Sequence, residues 1–155
     1  MKAKKYLYVF VLGALSLCTL VGCKSNEPET FMSNKERPTW TASGSHDMTS
    51  SMTAVVKVDL AAQYPDIAKD FVLNNNDLLA AFSDETCLAV AAQDEGLFFL
   101  YIGAPVTGNP SSITLRYYSS HYKNLFEAKD AFPYVNDSRQ GTADTPFIPT
   151  FVVVK

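Results

Sequence analysis

The stretch 76–102, NDLLAAFSDETCLAVAAQDEGLFFLYI, constrains this chain more than any other. Three short apolar runs, 78–82, 87–92 and 97–102, are separated by the polar breaks Ser83-Asp84-Glu85 and Gln93-Asp94-Glu95-Gly96. Each break is a turn signal, and Gly96 supplies the positive φ that a tight hairpin often requires. Runs of this length, rich in Leu, Val and Phe, read as consecutive antiparallel strands of an all-β core. The stretch carries no paired histidines, no nucleophile beside a base and no glycine-rich phosphate cradle.

The N-terminus must be subtracted before the fold is counted. Lys2, Lys4 and Lys5 form a basic region, 6–20 an apolar one of about 15 residues, and Leu20-Val21-Gly22-Cys23 follows. A spanning helix needs ~20 apolar residues, so the pattern reads as a secretory signal. Leu20-Val21-Gly22-Cys23 resembles a bacterial lipobox. That resemblance implies a signal peptide at 1–22, cleavage before Cys23, and lipid attached to Cys23 as the first mature residue. Acyl chains would then hold the protein on the membrane at about 0.8 kcal/mol per buried CH₂.

Removing Lys2, Lys4 and Lys5 lowers the basic count from 13 to 10 against 16 acidic residues, a mature net charge of −6. That balance argues against nucleic acid and against a polybasic membrane patch. Cys18 leaves with the signal and Cys23 carries lipid, so Cys87 is the remaining thiol and no intramolecular disulfide is expected. Its apolar surroundings, Cys87-Leu88-Ala89-Val90, read as a small buried hydrophobe.

Residues 23–37 are polar and read as a flexible tether, and the folded domain is expected over 38–155, opening at Pro38-Thr39-Trp40. In 52–60, Met52, Ala54, Val56, Val58 and Leu60 share one face and Thr53, Lys57 and Asp59 the other, the period of a strand with one solvated side. Residues 61–73 read mainly as a crossover loop with a helical turn from Asp66, and Asn74-Asn75-Asn76-Asp77 as a turn. Further strands are expected at 113–118, 122–126 and 147–154, with Pro146 and Pro149 confining the last to an edge. Short strands with frequent turn signals and no long helix predict an antiparallel two-sheet sandwich, immunoglobulin-like or jelly-roll-like.

The order of features resembles a secreted β-sandwich module met in Bacteroidetes lipoproteins. The matching positions are Pro38, Trp40, Ser51-Met52-Thr53, Asn76-Asp77, Ala81-Phe82, Asp84-Glu85-Thr86-Cys87, Gly96-Leu97-Phe98-Phe99, the run 113–118, Phe132, Gly141-Thr142 and Pro146. Leu88 and Ala89 stand where that pattern has a basic residue and a glycine. The resemblance implies an exported sandwich and carries no catalytic residues. Glu27 and Glu29, soon after Cys23, look like the acidic signals that send such lipoproteins to the outer face of the outer membrane; the periplasmic face is the alternative.

No metal, cofactor or catalytic constellation is expected. His46 and His121 are far apart and lack zinc-site spacing. Asp84-Glu85 and Asp94-Glu95 read as solvated turns rather than a glycosidase pair. A calcium site at Asn74, Asn76 and Asp77 lacks the EF-hand pattern. Arg116, Tyr118 and Tyr122 are the candidate ligand contacts, because alternation sends Tyr117 and Tyr118 to opposite faces and one ring is expected to reach solvent. The competing reading packs these rings over the core. The expected function is a non-catalytic surface lipoprotein that binds a glycan or an extracellular protein. The alternatives are a structural or adhesion subunit of an envelope complex, pairing through the strand edge at 147–154, and lastly a hydrolase.

Overall fold

A computed structural model describes residues 30–43, 46–105 and 108–155. The signal peptide expected at 1–22 and the lipid site Cys23 lie outside the described residues. The described residues are nearly all β, with 44% in strands and 3% in helix, which places the fold in the all-β class. In order come β1 (His46–Val56), α1 (Leu60–Gln63), β2 (Leu78–Ser83), β3 (Thr86–Asp94), β4 (Leu97–Pro105), β5 (Ser112–Ser119), β6 (Asn124–Ala128), β7 (Phe132–Pro133), β8 (Arg139–Gln140) and β9 (Phe151–Val153).

The strands follow one hydrogen-bonded path, β8-β1-β4-β3-β2-β5-β6-β9, with β7 attached to β5. The path is mixed, because β8 runs parallel to β1 while the other pairs are antiparallel. It curls strongly into a half-barrel. The turn between β3 and β4 has Glu95 at φ 49° and Gly96 at φ 85°, the two left-handed residues that a two-residue hairpin turn requires. In β2–β3, Ala81 faces Ala89 but Phe82 faces Cys87, so Leu88 is an extra residue that bends the strand.

The concave side is the core. Period two turns Met52, Ala54 and Val56 of β1, Phe98, Leu100 and Ile102 of β4, and Leu115 and Tyr117 of β5 into it. The crossover 57–77 closes the open side. Asp59 caps α1 by accepting a hydrogen bond from the Ala62 amide at 3.0 Å, and Leu60 and Ala68 are buried against the strands. The helical turn thus forms earlier than expected, where Asp59 supplies the cap.

The domain also begins earlier than Pro38. Phe31 is 3% exposed and meets Tyr64, Tyr122 and Phe126 edge-on at 5.0, 5.7 and 5.2 Å. Ser33 and Lys35 donate their amides to the carbonyls of Tyr122 and Lys123. One buried aromatic ring and these backbone bonds fix residues that composition alone marks as tether.

The C-terminal segment ties the two ends of the path together. β8 and then Phe147 pair with β1, and β9 pairs with β6. Phe147 donates its amide to Val55 O and accepts from the Lys57 amide, both at 2.9 Å. Gly141 permits this close crossing: its φ is +77°, and a Cβ there would lie 2.5 Å from Phe147 N and 2.7 Å from Val55 O. The edge expected to be open over 147–154 is accordingly engaged at Phe147. At Phe151, Gln63 Oε1 accepts the amide at 3.0 Å and the Tyr64 hydroxyl donates to the carbonyl at 2.6 Å.

Candidate ligand-binding face

Tyr117 and Tyr118 do project to opposite faces of β5, yet both faces are covered. Tyr117 lies in the core, and its hydroxyl donates to Asp77 Oδ2 at 2.6 Å. Asp77 is itself fully buried; Oδ1 accepts from the Ser120 amide and hydroxyl at 2.8 and 2.6 Å, and Oδ2 also accepts from the Asn74 amide at 3.1 Å. These donors satisfy the buried carboxylate, so its oxygens point inward as a structural tie rather than outward to a cation. Burial, and then the Asp77 charge, push the Tyr117 phenol far above its ordinary value.

The convex face of β5 is covered by residues 30–43. Tyr118 is 5% exposed and its hydroxyl donates to Lys35 O at 3.4 Å. Trp40 packs edge-on against Phe82 at 5.7 Å. Arg116 lies 4.5 Å above the Phe82 ring, donates through Nη1 and Nη2 to both Glu85 oxygens at 3.0 and 3.1 Å, and through Nε to Glu127 at 2.9 Å. It clamps the β2–β3 turn to β6. Tyr122 is 4% exposed and stacks on Phe71 at 6.1 Å, with its hydroxyl unpartnered. The expectation that Tyr117 or Tyr118 reaches solvent is therefore corrected, since the core takes Tyr117 and residues 30–43 cover Tyr118; the other candidate contact ring, Tyr122, is buried as well.

An aromatic face is open elsewhere. Phe99 and Tyr101 of β4 are 49% and 50% exposed. They are two residues apart on one strand face, about 7 Å between α-carbons. The other large exposed apolar side chains among the described residues, Met32, Val72, Val135 and Ile148, come from separate segments of the chain. Across the sheet, Val55 faces Phe99, Thr53 faces Tyr101, and Arg139 of β8 faces Thr53. Thr53 gives its amide to Ser138 O at 3.1 Å, so Thr53 and Tyr101 form a non-hydrogen-bonded pair, the geometry that brings side chains closest.

Two shallow depressions meet on this face. One, of about 290 Å³, is lined by Thr53, Val55, Phe99, Tyr101 and Arg139 among others. The second, of about 250 Å³, is lined by Ser51, Thr53, Asp137, Ser138 and Arg139 among others. Thr53 and Arg139 belong to both. The first offers ring faces and a guanidinium, the second hydroxyls, a carboxylate and the same guanidinium. Among the described residues Arg139 has no ion-pair partner.

The alternation in Leu97-Phe98-Phe99-Leu100-Tyr101-Ile102 was the signal for this face, since it separates Phe99 and Tyr101 from the core residues between them. Arg139 had none, because a two-residue strand inside a polar stretch has no readable period. The chain matches no family model, no curated protein and no solved structure.

Proposed function

We propose that this chain is a non-catalytic, lipid-anchored binding module on the outer membrane of a Bacteroidetes-like cell, held by lipid on Cys23, and that it captures a glycan on the face of β1, β4 and β8. The carrying observation is the pair of half-exposed rings, Phe99 and Tyr101, on a sheet face with Arg139 beside them. Uncovered aromatic rings flanked by hydroxyl and guanidinium groups suit the apolar faces and polar edges of sugar rings. The lipobox-like N-terminus and the secreted-module resemblance support the envelope setting and the sandwich-like reading of the half-barrel.

A hydrolase is disfavoured by distance. The acidic turns Asp84-Glu85 and Asp94-Glu95 lie at opposite ends of β3, which spans Thr86–Asp94. At a strand rise of about 3.3 Å per residue they stand roughly 25 Å apart, far beyond any glycosidase carboxylate pair. An envelope-assembly role through the last strand is disfavoured by the bonds that already hold Phe147 and Phe151.

A glycan array probed with purified protein tests the reading. Selective binding that disappears in Phe99→Ala/Tyr101→Ala supports it. A blank array from folded protein, together with proteins crosslinked to the chain on whole cells, would replace it with the protein-partner reading.

A further inference from the structure

We infer that the face is built for a neutral oligosaccharide at least two residues long, with one sugar ring on Tyr101 and a vicinal diol of the next clamped between Asp137 and Arg139. The inference rests on the glycan reading above and adds the ligand's charge class and length.

The polar depression is lined by one carboxylate and one guanidinium. Asp137 and Arg139 both line it, both are exposed, and neither forms an ion pair among the described residues. The contact at the Asp137 carboxylate is a hydrogen bond accepted by Oδ2 from Asn136 Nδ2 at 3.1 Å. A carboxylate only accepts and a guanidinium only donates. Set side by side, they complement two adjacent hydroxyls, one donating to Asp137 and the other accepting from Arg139.

An anionic sugar would satisfy Arg139 but would face Asp137 at close range, on a chain of formal net charge −3. A neutral diol meets both side chains without that repulsion. Length follows from the register Arg139–Thr53–Tyr101, which places Arg139 and Tyr101 two strand spacings apart, about 10 Å. One sugar ring does not cover that distance, and two linked rings do. The backbone at Asp137 is held by its amide's hydrogen bond to Ser51 O at 2.8 Å and carries φ 58°. Glycine suits that conformation, so Asp137→Gly deletes the carboxylate without backbone conflict.

The test is affinity electrophoresis of the full chain in detergent, through gels containing mixed-linkage glucan, galactomannan, arabinoxylan or polygalacturonate. Asp137→Gly, Arg139→Gln and Tyr101→Ala run alongside, with thermal melts to certify folding. The inference predicts retardation by at least one neutral polymer and none by polygalacturonate. Each variant should weaken the neutral interaction about tenfold or more. Preference for polygalacturonate, or neutral binding lost in Tyr101→Ala but intact in Asp137→Gly, overturns this inference and leaves the glycan reading standing. No retardation of the folded wild type by any polymer overturns both.

Discussion

Tyr117 and Tyr118 are neighbours in sequence, and their different partners show how much one side chain's surroundings decide. The Tyr117 hydroxyl serves a buried carboxylate. Tyr117→Phe removes one of the donors to Asp77 and should cost about 1.5–3 kcal/mol, the range for a hydrogen bond to a charged group; urea unfolding followed by circular dichroism measures it. Gly141 is the second sensitive position. Gly141→Ala places a methyl group against the backbone of Val55 and Phe147 in a left-handed conformation. The loss should be at least ~2 kcal/mol, from strain at positive φ plus the clash, and an unchanged melting temperature would refute the close crossing. Cys87 was legible only in part: its apolar run predicted a buried thiol, and it is half-buried at the strand's start, with burial pushing the thiol pKa up. The fate of Tyr118 was not legible, because the residues covering it are about eighty positions away.

Strands were readable where short apolar runs or alternation stood between turn signals, but the strand expected over 52–60 stops at Val56, and Leu60 opens α1 instead. β2, β3, β4 and β5 lie where alternation or short apolar runs placed them. The strand expected at 122–126 begins instead at Asn124, because Lys123 takes φ 48° and the turn holds Tyr122. The last strand shrinks to Phe151–Val153, since Pro149 interrupts it after Phe147 has paired with β1. The N-terminal segment misleads most, because its composition is that of a linker and one ring anchors it. Phe31→Ala should destabilise the fold by about 3–5 kcal/mol, as for other buried aromatic truncations; a flexible tether at 30–37 would leave the denaturation midpoint unchanged.

The whole molecule is a curled sheet whose ends are joined by its own C-terminal segment, and its convex surface divides into a covered and an open half. At the exposed rim of the covered half, Arg116 lowers the Glu85 carboxyl from its ordinary value, first by hydrogen bonding and then by charge attraction. A depressed carboxylate pKa contributes stability that is present above the unfolded-state pKa and lost as pH falls through the folded value. The melting-temperature advantage of wild type over Arg116→Met should therefore shrink as pH is lowered from about 6 to about 3, and a gap that widens on acidification would contradict the clamp. The all-β class was legible from strand lengths and turns. The single mixed path was not, since the parallel pairing of β8 with β1 depends on two residues brought together from opposite ends of the domain.

The open half presents Phe99 and Tyr101 to solvent. The direct measurement is a calorimetric titration of the glycan selected on the array, into wild type and into Phe99→Ala/Tyr101→Ala. The double variant is expected to keep its fold, because both rings stand outside the core, and to lose affinity by at least about tenfold, as when contact aromatic residues are truncated. Unchanged affinity in a folded double variant would show that the ligand binds elsewhere and would remove the face of β1, β4 and β8 as the site.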